Sequence, residues 1–438
     1  MNWLVNLGLV LLLVVFTAAW VMLPWPGALA ALVLLAAWLA FTRRGAQARS
    51  VVAVGLSTLR QRLPASAVIV VGIAGVVGVL VALLSMAEGY AETLRRSGSA
   101  DTAVVMRGAS ASEVMSVLDR ASVALIGQAP GVARDASGQP LASEEIVVAA
   151  NLPVAGGGAD DEGSVQLRGV GALAWPLRPQ VRIVEGRRFT PGLRELIVGK
   201  GAARQFAGLV PGEIRPRRTS GAWTVVGTFT SGDAMESEIW ADVNVVADTY
   251  RRGSGRNAVH VRLADPAAFA GFKSALESNP QLKVDAATTL DYYAKQSEGM
   301  TRVLRVIGLT VGAIMAIGAA FGALNTMFAA VAARAREIAT LRAIGFTGAP
   351  VVVAMLETML LALAGGAIGA LVAYIIFNGL DASTMASGSV GKLSFSLQVT
   401  PALVWTGLKW ALAIGFIGGL FPAMRAARAP VATALREL

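Results

Sequence analysis

The chain has no cysteine and a single histidine among its 438 residues. Without cysteine there is no disulfide framework, no thiolate metal site and no thiol nucleophile, so either an oxidising or a reducing compartment would suit it. The one histidine, His260 in a β-like run, supplies neither a base–nucleophile pair nor a His-rich metal site, and its plain reading is structural. A phosphate-binding loop is missing too. Neither Gly199-Lys200 nor Gly391-Lys392 completes the Gly, four residues, Gly-Lys-Ser/Thr pattern whose amides and lysine cradle phosphates. The chain is therefore expected to be non-catalytic and to bind no metal or cofactor itself.

Charge is also scarce. Only 15% of the residues are charged while 55% are hydrophobic, the balance of an integral membrane protein rather than a soluble domain. The net charge is +10, yet the arginines collect beside apolar runs and no aromatic-interleaved basic patch occurs, so nucleic acid is not an expected partner and the charge reads as topology.

Runs long enough to cross about 30 Å of hydrocarbon lie at 66–86, 303–331, 351–377 and 402–421. Two further runs, 3–22 and 24–42, flank Pro24-Trp-Pro-Gly27, a turn-forming cluster that predicts a tight hairpin of two spans. A signal peptide competes for the first run, but Met1-Asn-Trp3 carries no basic side chain and a second apolar run follows at once. If six helices span, Arg43, Arg44, Arg49, Arg60 and Arg62, then Arg334, Arg336 and Arg342, then Arg425, Arg428 and Arg436 all fall on one side. The short loop opposite carries only Lys392. By the positive-inside rule both termini are cytoplasmic and the long insert is extracytoplasmic.

The expected fold is thus an α-helical transmembrane bundle, four core spans plus an N-terminal hairpin of two, with a large α/β domain inserted between the third and fourth spans. In chain order this predicts a hairpin over 1–42, a cytoplasmic amphipathic elbow helix over 43–65, a span over 66–86, and the α/β domain with helical stalks over 87–301. A span over 302–331, a cytoplasmic helix over 332–349, a span over 350–378, a loop over 379–400, a span over 401–422 and a tail over 423–438 complete it. Within the insert, strands are expected at Ala103–Met106, Glu145–Val148, Val181–Val184, Trp223–Val226 and Val259–Leu263, with helical patterns from Glu113 to Ile126 and Pro266 to Leu276. The acidic trio in Gly156–Gly163 reads as a solvated turn before it reads as a cation site.

The stretch Ala333–Gly345 is the foremost functional candidate. Ile338, Leu341 and Ile344 recur every three residues along one side of a helix, while Arg334, Arg336, Glu337 and Arg342 supply charge around the rest. Such a helix has an apolar side to bury in another protein and a charged side to pair with it; a stop-transfer signal is the competing reading. Inside the spans, the pairs Gly308 and Gly312, Gly318 and Gly322, Gly365 and Gly369, and Gly415 and Gly419 have the spacing that permits close helix contact. Asn325 and Glu357 are the intramembrane polar residues to watch.

Arg336-Glu-Ile-Ala-Thr-Leu-Arg-Ala-Ile-Gly345, set in this order of elements, resembles the MacB/FtsX-type ABC transporter permeases. Ser57-Thr-Leu-Arg-Gln-Arg62 resembles their elbow helix; Val184-Glu-Gly-Arg-Arg-Phe189, Glu195-Leu-Ile-Val-Gly199 and Trp223-Thr-Val-Val-Gly227 resemble their periplasmic motifs. Gly418-Gly-Leu-Phe-Pro-Ala-Met-Arg-Ala-Ala-Arg428 with Ala434-Leu-Arg436 resembles their C-terminal signature. The resemblance implies a multi-pass protein of the bacterial inner membrane that pairs with a second copy or a paralogue. ATP and Mg would be held by a separate ABC ATPase subunit seated on Arg334 to Gly345 as a coupling helix. It implies mechanotransmission to the periplasmic domain, in efflux or envelope export, with membrane lipid, a periplasmic adaptor and an outer-membrane channel as further partners. The alternative within the same fold is an FtsX-like regulator of a periplasmic cell-wall hydrolase, and a membrane-anchored sensor or enzyme working without an ATPase is the reading outside it. The N-terminal hairpin departs from the family's four-span plan.

Overall fold

The computed structural model describes residues 13, 15–42, 45, 63–157, 161–210, 212–214, 222–333, 335–343, 349–385 and 391–428. The chain divides into two compact units. A helical unit comprises Met1–Ser85, Leu304–Asn378 and Gln398–Leu438, and an α/β unit comprises Met86–Val303 and Gly379–Leu397.

Four helices carry apolar windows long enough to cross a bilayer: α3 (Leu63–Arg96), α4 (Thr289–Ala333), α6 (Ala349–Phe377) and α7 (Pro401–Arg428). They follow α1 (Val15–Met22) and α2 (Trp25–Phe41), and the nine-residue α5 (Ala335–Ala343) stands between α4 and α6. Of the elbow helix expected over 43–65, residues 43–44 and 46–62 lie outside the described residues, and 63–65 open α3.

In place of a tight reversal, α1 and α2 meet in a bend of 114°. Pro24 is extended, with φ −62° and ψ 153°, and Pro26 opens the next helix. A proline lacking its N–H stops one helix and a proline in the first turn starts another, so a break this short redirects the chain without a full hairpin loop. The freed carbonyls find a donor on α7, where Lys409 Nζ donates to Val21 O at 2.7 Å and Leu23 O at 2.9 Å. Trp20 Nε1 in turn donates to Lys409 O at 3.0 Å.

The α/β unit is built on one sheet in the order β10-β1-β9-β2-β3-β8-β5-β7-β4, with β6 paired to β7. The strands are β1 Thr102–Arg107, β2 Ala142–Pro153, β3 Glu162–Val170, β4 Arg182–Gly186, β5 Glu195–Gly199, β6 Gly212–Ile214, β7 Trp223–Thr230, β8 Glu238–Asp242, β9 Ala258–Arg262 and β10 Val284–Thr288. The twelve-residue β2 changes partner half-way: Ala142 to Glu145 pair with β9, and Ile146 to Pro153 pair with β3. Two hydrophobic cores lie on either side of that switch. One gathers Val105, Ile126, Val259, Phe272 and Leu276; the other gathers Ile146, Val165, Leu196, Phe206 and Trp223.

Two expectations for this unit need correcting. The helix expected from Glu113 to Ile126 is split into a 3-10 turn, Glu113–Met115, and a helix, Arg120–Gly127. Asn257 Nδ2 donates to Glu113 O at 3.0 Å and Ser116 O at 2.8 Å, taking carbonyls a continuous helix would need, and Asp119 then caps a fresh start by accepting from Ser122 N at 2.7 Å. The segment expected as the loop 379–400 contains a β-hairpin, β11 (Asp381–Met385) with β12 (Lys392–Ser396). Alternate residues Leu393 and Phe395 are buried, and Phe395 meets the Tyr90 ring edge-on at 5.6 Å.

Residues 86–96 of α3 and 289–303 of α4 belong to this unit. Their ends are clamped. A Cβ on Gly98 would sit 2.6 Å from Leu290 Cα, Ser99 N donates to Thr289 Oγ1 at 2.8 Å, and Thr289 Oγ1 lies 2.6 Å from Thr102 Oγ1.

Candidate functional site

The candidate docking stretch is helical over Ala335–Ala343. Arg336 and Thr340 are exposed, Ile338 is half-buried and Ala339 is buried, so the helix has a seated side and a free side. The backbones of Glu337, Leu341 and Arg342 lie on it; Arg334, Ile344 and Gly345 lie outside the described residues. Asn325 is exposed on α4 and Glu357 is half-buried on α6.

Three of the four glycine pairs make the close contacts their spacing allows. A Cβ on Gly365 or Gly369 would lie 2.7 and 2.3 Å from Val70 O and Ala74 O of α3. On Gly415 and Gly419 it would lie 2.5 Å from Ala362 Cβ and 3.0 Å from Thr358 Oγ1 of α6. Gly308 and Gly312 sit against Leu83 and Leu80. Gly318 and Gly322 differ: among the described residues no atom lies within 4 Å of either Cβ position, and both glycines are exposed on α4.

The most unusual chemistry was not among the expectations from the sequence. At the point where β2 exchanges β9 for β3, three buried carboxylates surround two buried guanidiniums. Arg168 reaches Glu113 at 2.9 Å, Glu145 at 2.9 Å and Glu238 at 2.8 Å, while Arg178 reaches Glu145 at 2.5 Å. His260 Nε2 stands 2.6 Å from Glu113 Oε1. Gln166 and Trp240 donate to Glu238 at 2.6 and 2.8 Å, and Ser143 donates to Glu145 at 3.0 Å. Tyr292 on α4 closes the ring by accepting from Glu113 N at 3.3 Å.

Burial alone would raise these carboxylates. Arg168 and His260 instead hold Glu113 well below the usual carboxylate range, and Arg178, His260 and Arg168 hold Glu145 down at about 2. Burial works against the Arg168 guanidinium too, but Glu113 and Glu238 raise it well above its ordinary value. Buried charges so completely paired and hydrogen-bonded contribute specificity of arrangement more than net stability. The ring fixes the first core to the second, and α4 to both. Nearby, Asp233 N-caps the turn Ala234–Ser237, and burial pushes it up to about 6. Charged residues inside apolar strand runs, such as Arg168 in Val165–Val170 and Glu238 before Ile239-Trp-Ala241, were the available signal for this cluster.

Two family models match consecutive stretches of the chain. A MacB-like periplasmic core domain matches residues 66–279, and the C-terminal part of an FtsX-like permease matches 309–431. Among solved structures, the chain is similar to the extracellular domain of the noncanonic ABC-type transporter YknZ from Gram-positive bacteria, at 13% identity and a TM-score of 0.33, covering 43% of this chain and 100% of that one. It is also similar to the periplasmic region of MacB from Actinobacillus actinomycetemcomitans, at 12% identity and a TM-score of 0.34, covering 44% of this chain and 91% of that one. No curated protein matches it. The order of the two matched models is the order of the α/β unit and the last spans, and it agrees with the motif at Arg336–Gly345: the chain belongs to the MacB/FtsX-type ABC transporter permeases.

Proposed function

We propose that this permease is the membrane subunit through which an ABC ATPase, seated on α5, drives motion of the periplasmic α/β unit in efflux or envelope export. The observation that supports this reading is helix continuity. α3 runs for 34 residues and α4 for 45 without a break, so at 1.5 Å per residue they extend roughly 50 and 70 Å, well beyond about 30 Å of hydrocarbon. In this reading, displacement at the membrane end of either helix is passed along the helix itself instead of being absorbed in a loop. The clamp at Gly98, Ser99 and Thr289 ties the two helices where they enter the α/β unit, and the ring around Arg168 lets the domain respond as one piece. The ATPase, with its ATP and Mg, would be a separate chain working on a pair of permeases.

Replacing Leu341 or Glu337 by arginine tests the seat. If either side chain anchors the ATPase, the variant binds it roughly 30-fold more weakly, the loss of a ~2 kcal/mol interface anchor. Co-purification in mild detergent and vanadate-sensitive turnover read this out. One-to-one assembly with unchanged turnover in both variants would remove α5 from the coupling role.

A further inference from the structure

Within the helical unit, α1 and α2 do not lie flush against α6 and α7. They border an open-sided cavity of about 320 Å³ lined by Phe16, Trp20, Leu35, Met355, Met359 and Phe416 among others. The cavity is held open from both sides. The Lys409 hydrogen bonds to Val21 O and Leu23 O fix the bend against α7, and Phe16 meets Phe416 with ring centroids 5.3 Å apart. Its one lining hydroxyl, Thr17, already donates to Leu13 O at 2.9 Å. The lining is almost entirely apolar, so a water placed inside would fall short of the two to four polar partners it needs, and an engineered apolar cavity of about 150 Å³ stays dry and takes benzene. Leu412 and Phe416, which line it, lie 11 and 15 residues past Pro401 on the 28-residue α7, roughly midway along the helix at 1.5 Å per residue. At that depth the surrounding medium is acyl chain, not headgroup or water.

We propose that this cavity is a lipid site: it takes the end of an acyl chain from a bilayer phospholipid, which packs between the bent N-terminal pair and α6 and α7. Size, an almost entirely apolar lining and depth all select the same occupant. Two thioethers, on Met355 and Met359, give the wall the adaptability that a flexible chain requires. The N-terminal pair thereby has a role of its own, joining the span bundle through a shared lipid and the Lys409 bonds.

The test uses the full chain in nanodiscs of phosphatidylethanolamine and phosphatidylglycerol, doped with phosphatidylethanolamine bearing a diazirine at the end of one acyl chain. After irradiation, peptide mapping should find adducts concentrated at Met355, Met359 and Phe416 over Leu371 and Ile375, which are exposed on α6. Leu35→Trp and Ala31→Phe, both at exposed positions on α2, fill the cavity and should lower those adducts about tenfold, the change that lost burial of about two methylene groups produces. Leu371→Trp should leave them unchanged. Adducts spread evenly over the exposed positions would overturn the proposal, as would labelling untouched by both filling variants. Two other results would do so as well: a crosslink from Leu35→Cys to a second permease copy, or displacement of the lipid by a soluble apolar compound that stimulates the ATPase.

Discussion

In the helical unit α3 and α6 approach closely through residues without a side chain: a Cβ on Gly365 or Gly369 of α6 would lie 2.7 or 2.3 Å from the carbonyls of Val70 and Ala74 on α3. In the α/β unit the most tightly held group is a guanidinium, Arg168, only 1% exposed and bonded to three carboxylates. The difference follows from the solvent. Between helices in hydrocarbon there is no hydrophobic drive, so contact comes from close backbone approach that only small residues permit. A water-exposed domain gets cohesion from apolar burial and can place charge inside, provided every charge has partners. The contact of α3 with α6 thus rests on side chains left out, and the α/β unit adds to its own close glycine approaches a buried cluster of paired charge.

The largest break in that contrast is Arg168→Met. It strands Glu113, Glu145 and Glu238 with only Arg178 and His260 nearby, and removing one partner from a buried ion cluster costs about 3–5 kcal/mol. Arg168→Lys should recover little of this, since an ammonium cannot present the guanidinium's planar fork to several carboxylates at once. Denaturant unfolding of the purified chain, followed through buried Trp223 and Trp240, measures both. A loss under about 1 kcal/mol, the range of exposed ion pairs, would mean the ring behaves as solvated surface and the contrast fails.

Acid and base act on the two kinds of carboxylate in the α/β unit with opposite sign. Glu113 and Glu145 have folded-state values below their ordinary one, so their contribution is present above about pH 4.5 and is lost as pH falls, for Glu145 through about 2. Asp233 is raised from 3.8 to about 6. Its contribution is complete below its ordinary value and disappears as pH rises through about 6. Asp233→Asn should therefore flatten the fall in stability between pH 4 and 7, a change of at most about 3 kcal/mol at two pK units, read as melting temperature against pH. An unaltered profile would mean that Asp233 is hydrated and does not titrate in that window. Its position gives the titration a route outward, because Ala234, the next residue, donates its N–H to Ser97 Oγ beside the end of α3.

Much of this architecture was legible in the sequence, and for a physical reason. A span must be apolar throughout its length, so 303–331 or 351–377 is readable without knowing its neighbours. The α/β character of the insert was readable from β-rich runs broken by Gly and Pro. The ring was not, because its members are scattered from Glu113 to Glu238 with no period, and they meet only when β2 pairs with β9 on one half and β3 on the other. The helix expected across Glu113 to Ile126 failed for the same reason, since Asn257, which interrupts it, is far away in the chain. The hairpin at 381–396 was within reach: Leu393 and Phe395 alternate with polar residues, but in a short loop between spans that alternation carried too little length to stand out.

The glycine pairs mark the limit of spacing as evidence, and they give the smallest expected effect. Gly318 and Gly322 have the same four-residue interval as Gly365 and Gly369, yet only the second pair has a neighbour. Gly369→Ala places a methyl 2.3 Å from Ala74 O, against backbone that has no rotamer to yield, and should cost about 1–3 kcal/mol as α3 and α6 part. Gly318→Ala meets nothing within 4 Å; relieved of glycine's backbone entropy, it should be neutral or gain up to ~1 kcal/mol. Melting temperatures of the two variants in one detergent separate these outcomes, and repeating the pair in the assembled membrane complex sharpens them. If Gly318→Ala is silent in the isolated chain but harmful in the assembly, the open stripe on α4 is covered there by another subunit, and the helical unit's rule of contact through absent side chains extends across an interface.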